Sequence, residues 1–291
     1  AVVRQLVFRE FFQITWLQTC TCLSLSADFD HSSCCPRRFC YYFSMAESDS
    51  FDRRKFIKAC VGAGAAVAAN PSLMAQPAGE LVPAERVRLV DVDGKTLQPG
   101  ALNVGESYVF HYPYVTTPCF LIDLGAAAEP GADLETSDGR SYRWSGGVGP
   151  GRSIVAFSAI CAHKMSYPTR NVSFIDYRHK PMNTEAVGND WWSRGQVIYC
   201  CSEGSVYDPS DGARVLSGPA PQPLAAVHLE YDDAEQALYA SGVYGGDMLD
   251  KFLTEFGFQV ALAHKREDIR SPARQVTTVW PMSEYSRAGA C

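Results

Sequence analysis

The chain has 291 residues, 46% of them apolar and 20% charged, with a net charge of -6 at neutral pH. That length allows one large domain or two small ones, each able to bury a core. The acid excess argues against a nucleic-acid partner, because neutralising phosphates takes clustered Lys and Arg that the body of the chain lacks.

Residues 1–44 carry no globular pattern, yet they hold Cys20, Cys22, Cys34, Cys35 and Cys40 of the eleven cysteines. Clustered thiols beside aromatic residues are unusual in an exported precursor, so this stretch is read as a non-native or disordered extension ahead of Met45. Residues 45–75 follow a different logic. Asp52-Arg53-Arg54-Lys55-Phe56-Ile57-Lys58 resembles the twin-arginine export motif, and a weakly apolar run from Ala59 to Ala69 leads to Asn70-Pro71-Ser72-Leu73-Met74-Ala75, with small residues near a cleavage site. The run is too short and too rich in Ala and Gly for a secure transmembrane helix. Cleavage near Ala75 and a periplasmic location are therefore expected, with a membrane anchor only if the segment is retained. This pathway carries folded proteins, which suits one that takes up a cofactor before export.

Residues 81–260 read as one domain of short strands punctuated by turns. Strand patterns lie at Arg86 to Val92, Ser107 to Tyr112, Cys119 to Leu124, Ser153 to Ser158, Gln196 to Cys200, Ala225 to Tyr231 and Ala237 to Val243. The spacing predicts an all-β fold, an antiparallel β-sandwich. Cys119 falls in a strand-like run and is expected to be a buried apolar thiol. The Gly-, Asp- and Glu-rich stretch 126–151 reads as a surface insertion. An amphipathic helix is expected from Asp247 to Leu253, and residues 261–291 read as a C-terminal tail packed on this domain or on a partner, with no core element.

Three of the remaining cysteines fall in two boxes, Cys161-Ala162-His163 and Cys200-Cys201-Ser202-Glu203, so metal ligation accounts for them better than a disulfide framework. Each box offers two side chains that can bind metal. A Cys-x-His pair alone is a weak signal; the sequence that follows the second box strengthens it. Gly204-Ser205-Val206-Tyr207-Asp208 comes first, then Leu216-Ser217-Gly218-Pro219-Ala220-Pro221-Gln222-Pro223-Leu224.

This ordered set resembles the Rieske iron-sulfur family, with Glu203 where the family has its second histidine. The resemblance implies a Rieske-type sandwich with a small cluster-binding subdomain at about residues 155–225, and a 2Fe-2S cluster. Cys161 and Cys200 would bind the inner iron and His163 the outer one. Ser205 and Tyr207 match the positions whose hydroxyls bond cluster or cysteine sulfur and raise the potential, and Gly218, Pro219 and Pro221 match the loop that covers the cluster. The family's disulfide between the two loops is absent, since Ser166 and Ser202 stand at its positions. The 36 residues between His163 and Cys200 form a longer gap than usual, contain His179 and Trp191-Trp192, and are expected to lie near the cluster face. Three outcomes are open for the fourth position. Glu203 binds the outer iron and lowers the potential, His179 supplies an imidazole, or the site is degenerate and Cys200-Cys201 are simply adjacent thiols.

Within the family, residues 100–245 are most similar to the small subunit of arsenite oxidase. Tyr112-Pro113-Tyr114, Pro118-Cys119, the run Gly147 to Ser158 and His228-Leu229-Glu230-Tyr231-Asp232 carry that likeness. It implies a non-catalytic electron-transfer subunit between a redox partner, such as a molybdopterin-containing large subunit, and a cytochrome-like acceptor. The competing reading is a cluster-free fold serving as a structural or assembly subunit. A Rieske oxygenase is disfavoured, because only His228 and His264 follow His179 and no iron-binding facial triad is visible.

Overall fold

From Leu81 onward the β-branched and aromatic runs pair into sheets, as their alternation requires. The computed structural model describes residues 81–185 and 191–289. The extension 1–44, the twin-arginine segment 45–75 and Cys291 lie outside the described residues. In chain order the first strands are β1 (Val82–Val90), β2 (Ser107–His111), β3 (Pro118–Asp123), β4 (Ala132–Glu135), β5 (Ser141–Trp144) and β6 (Ile154–Ser158). Next come β7 (Ile175–Arg178), β8 (Met182–Glu185), β9 (Trp191–Arg194), β10 (Val197–Cys200), β11 (Ser205–Asp208) and β12 (Arg214–Ser217). The chain then forms β13 (Ala226–Asp232), β14 (Ala237–Tyr244), α1 (Asp247–Glu255), α2 (Gly257–His264), β15 (Val276–Thr278), β16 (Trp280–Pro281) and the single turn α3 (Met282–Tyr285).

The all-β expectation holds. Eight strands form the large sheet in the order β15-β1-β14-β13-β6-β3-β2-β16, and four form a small one in the order β12-β11-β10-β7. β15 pairs with β1 at one edge and β16 with β2 at the other, although Val279 alone separates them. The C-terminal segment therefore bridges the two ends of the large sheet, supplying the last strand at each. Residues 261–291 are thus more than a tail laid on the surface: Val279 is 3% exposed and Tyr285 4%. The segment read poorly because its buried residues are isolated among charges, each filling a gap between strands already formed.

Strand β3 shows how the layers are built. Cys119 and Leu121 point into one core, with the buried face of α1, while Phe120 and Ile122 point into a second. A strand covered on both faces reads as a continuous apolar run, and that is the pattern of Cys119 to Ile122. The second core also takes Ile175, Ile198, Cys200 and Tyr207 from the small sheet. The small sheet thus lies against one face of the large one, and the cysteines of both boxes belong to the contact. Cys119 is a buried thiol that donates to Tyr112 O at 3.1 Å, and burial pushes its ionisation far up.

Stretch 126–151 departs from expectation. It contains the β4–β5 hairpin, whose Leu134, Tyr142 and Trp144 alternate into the second core. Period-two burial of four-residue strands is hard to see among so many Gly, Asp and Glu residues. Helix α1 buries Met248, Leu249, Phe252 and Leu253 on one face, with Asp247 and Asp250 in its first turn, where the helix dipole favours acids. Phe252 meets Tyr167, from the loop after the first box, edge-on at 4.9 Å.

If the second core holds the two sheets together, Phe120→Ala should lower unfolding stability by roughly 3–5 kcal/mol in urea denaturation. A loss below about 1 kcal/mol would contradict this placement.

Candidate metal centre

Each box is held in shape by its own backbone hydrogen bonds. The first follows β6 directly: Met165 N donates to Cys161 O at 3.0 Å and Cys161 N to Ser166 O at 2.9 Å, which curls the loop around Cys161. The second is the tight connection from β10 to β11, in which Cys200 and Ser205 face each other in register and Gly204 N donates to Cys200 O at 2.8 Å. Gly204 adopts φ +77°, a conformation that costs a side-chain-bearing residue more.

The structure brings Cys161 and Cys200 together in the second core, both fully buried. The Cys161 thiol is pulled down to about 6, first by a hydrogen bond from Cys200, against the effect of burial, and further by the Tyr207 hydroxyl and the His163 backbone N–H. The same bond, followed by burial, pushes Cys200 up. The two sulfurs are thus within hydrogen-bonding reach of each other, with Cys161 the more easily ionised. Tyr207 Oη lies 3.2 Å from Cys161 Sγ and accepts from Ala162 N at 3.1 Å. Ser205 is close enough to help lower Cys161, yet its buried Oγ makes no hydrogen bond of acceptable geometry.

His163 and Glu203 form a second pair at the rim, with side chains 28% and 26% exposed. His163 Nδ1 is buried without a hydrogen-bond partner and lies 3.8 Å from Glu203 Oε2. The other carboxylate oxygen, Oε1, accepts from Lys164 Nζ at 3.1 Å. Lys164 is a site residue that the sequence reading passed over; its position beside His163, facing an acid in the other box, was the available signal.

Gly218 locks the covering loop onto the second box. It has φ +89°, and a Cβ there would fall 2.5 Å from Gly204 O and 2.6 Å from Ser205 Cα. Pro219 and Pro221 are exposed on the outer side of that loop, and Ala220 packs inward on the second core.

Among the described residues no three His, Cys, Asp or Glu side chains converge as a single-ion site requires. A two-iron cluster asks for something else, two ligands on each iron. The boxes supply two such pairs, a buried Cys161/Cys200 pair and a rim His163/Glu203 pair. Two donors bound at about 2.1 Å on one tetrahedral ion lie roughly 3.4 Å apart, close to the rim separation. The unpartnered His163 Nδ1 and Ser205 Oγ are the buried polar atoms such a group would satisfy. The residues present fit a 2Fe-2S cluster.

His179 does not join them. Cys200 pairs with Ile175, and His179 lies four residues further along, about 13 Å away along the strand. Its ring packs over Gly105 and its Nδ1 lies 3.4 Å from Tyr177 Oη. The start of the long gap lies beside the boxes, with Lys164 on Glu203 and Phe174 O accepting from Cys201 N, whereas β8 and β9 follow from the Arg178/Val197 end of the small sheet, opposite Cys200. Cys201 turns toward the loop before β7, its N donating to Phe174 O at 3.0 Å.

Tyr207→Phe removes the hydroxyl that joins Cys161 to the Ala162 amide, leaving a donor unpaired. Loss of roughly 1–3 kcal/mol of stability is expected in urea unfolding, and an unchanged midpoint would contradict the bridge.

No protein-family model matches the chain. Among solved structures it is similar to the soluble domain of the Rieske protein II (soxF) from Sulfolobus acidocaldarius, at 27% sequence identity over 55% of this chain and 78% of that one, with a TM-score of 0.37.

Proposed function

We propose that this chain is a Rieske-type electron-transfer protein that holds a 2Fe-2S cluster between its two boxes. Cys161 and Cys200 bind the inner iron, and His163 and Glu203 the outer one. The observation that carries the reading is the division of the four side chains into a buried thiol pair and a rim imidazole–carboxylate pair. When bound, the cluster supplies a one-electron couple near the protein surface.

The chain's own residues set the conditions around it. Tyr207 donates toward Cys161 and, with the backbone N–H groups of His163, Ser202 and Glu203 directed at the two sulfurs, spreads the thiolate charge. Glu203 brings a negative charge where a second imidazole would be neutral, which lowers the potential relative to a two-histidine centre and leaves one imidazole titration coupled to reduction. Lys164 offsets part of that charge, modestly, because the pair is exposed.

The wider role follows from the sequence. The twin-arginine motif at Arg53-Arg54 supports export to the periplasm in folded form. The likeness to the arsenite oxidase small subunit supports a role as a non-catalytic subunit, passing electrons from a redox enzyme with a molybdopterin-containing large subunit to a cytochrome-like acceptor. Among the described residues no helix is long and apolar enough to cross a membrane.

The test is the purified full chain. About two irons and two acid-labile sulfides per chain are expected, with an EPR signal on reduction. A folded protein that takes up neither iron nor sulfide after anaerobic reconstitution would overturn the proposal in favour of a cluster-free structural subunit.

A further inference from the structure

A cavity of about 630 Å³, distinct from the paired boxes, opens where the loop after the first box meets the C-terminal segment. That volume lies in the range of small-molecule sites. Its walls include Arg170, Arg266 and Arg274, with Asp268, His111 and Trp280.

The charges in this wall are out of balance. Among the described residues neither Arg170 nor Arg266 has a carboxylate partner, and Arg274 comes no closer than 3.8 Å to Glu85. Asp268 already accepts from Arg270 N at 3.2 Å and Ser271 Oγ at 2.6 Å. Arg170 is held in place without an ion pair. Its guanidinium carbon stands 4.4 Å from the centre of the Tyr285 ring and 5.0 Å from that of Trp280, while Arg287 N donates to its carbonyl at 3.1 Å. Stacking on ring faces leaves the N–H edges of a guanidinium available for a bidentate anion. The neighbouring histidines feel the same field: His111 and His264 are both held below the usual range, first by burial, with Arg170 adding to each. Neutral histidines leave three guanidinium groups against two carboxylates, Asp268 in the wall and Glu85 beside Arg274.

The excess is one positive charge, but Arg170 and Arg266, the two without a carboxylate partner among the described residues, offer two donor forks, which the three oxygens of a phosphate monoester can take together and the two of a carboxylate cannot. Trp280 with Val115 and Pro272 adds apolar wall for the body of such a ligand. We infer that this cavity is a binding site for a small phosphate monoester with an apolar body, gripped by Arg170 and Arg266. The inference does not rest on cluster binding, because the cavity is lined by neither box.

Isothermal titration of the full chain with phenyl phosphate is the test, with benzoate as the comparator. Saturable binding is expected, tighter than benzoate, weakened as salt is raised, and reduced about tenfold or more in Arg170→Gln and in Arg266→Gln. Arg266 is exposed, so the Arg266→Gln protein should melt like the parent and report on binding alone. No saturation by phenyl phosphate, or equal affinity of the Arg266→Gln and parent proteins, would overturn the site. Benzoate binding as tightly as phenyl phosphate would overturn the assignment to a phosphate.

Discussion

The Tyr207 hydroxyl is the contact on which the arrangement of the boxes depends. They lie on separate loops, one after β6 and one between β10 and β11. Tyr207 joins them. It is fully buried in strand β11, reaches Cys161 Sγ at 3.2 Å and accepts from the next amide, Ala162 N, at 3.1 Å. Because β11 is also the strand that leaves the second box, one side chain ties the sulfur of the first loop to the backbone of the second. Gly218 adds a further constraint, pressing the covering loop so closely on Gly204 and Ser205 that a Cβ has no room. These ties form because both loops emerge from one packed layer, the second core.

That layer also explains the division of the site into a dry half and a wet half. Cys161 and Cys200 sit among Phe157, Ile175 and Ile198, where sulfur is at home and a charge needs nearby N–H groups. His163 and Glu203 sit at the edge of the same layer, partly open to solvent, with Lys164 beside the carboxylate. A carboxylate is easier to accommodate here than in the core, since water and Lys164 share its charge.

Most of the strands around the site were legible in the sequence, because runs such as Ser107 to Tyr112 and Ala237 to Val243 alternate or are continuously apolar and end at clear turns. The boxes and their glycine, serine and tyrosine neighbours were legible for a chemical reason, since few residues bind metal or tolerate positive φ. Other features were not. Trp144 is buried from a hairpin whose other residues look like a surface loop, and Val279 bridges the two ends of the large sheet from a segment with no periodicity. His179 looked available as a ligand because sequence distance says nothing about which end of a strand pair a residue occupies; only the Cys200–Ile175 register shows that it lies at the far end.

The central claim is that the outer ligands are one imidazole and one carboxylate. ENDOR spectroscopy of the reduced, reconstituted protein labelled with nitrogen-15 histidine counts the imidazoles directly. One strongly coupled histidine nitrogen, lost in His163→Gln, is the predicted result. Two coupled nitrogens would contradict Glu203 as a ligand, and none would contradict the pairing of His163 with Glu203 at the rim.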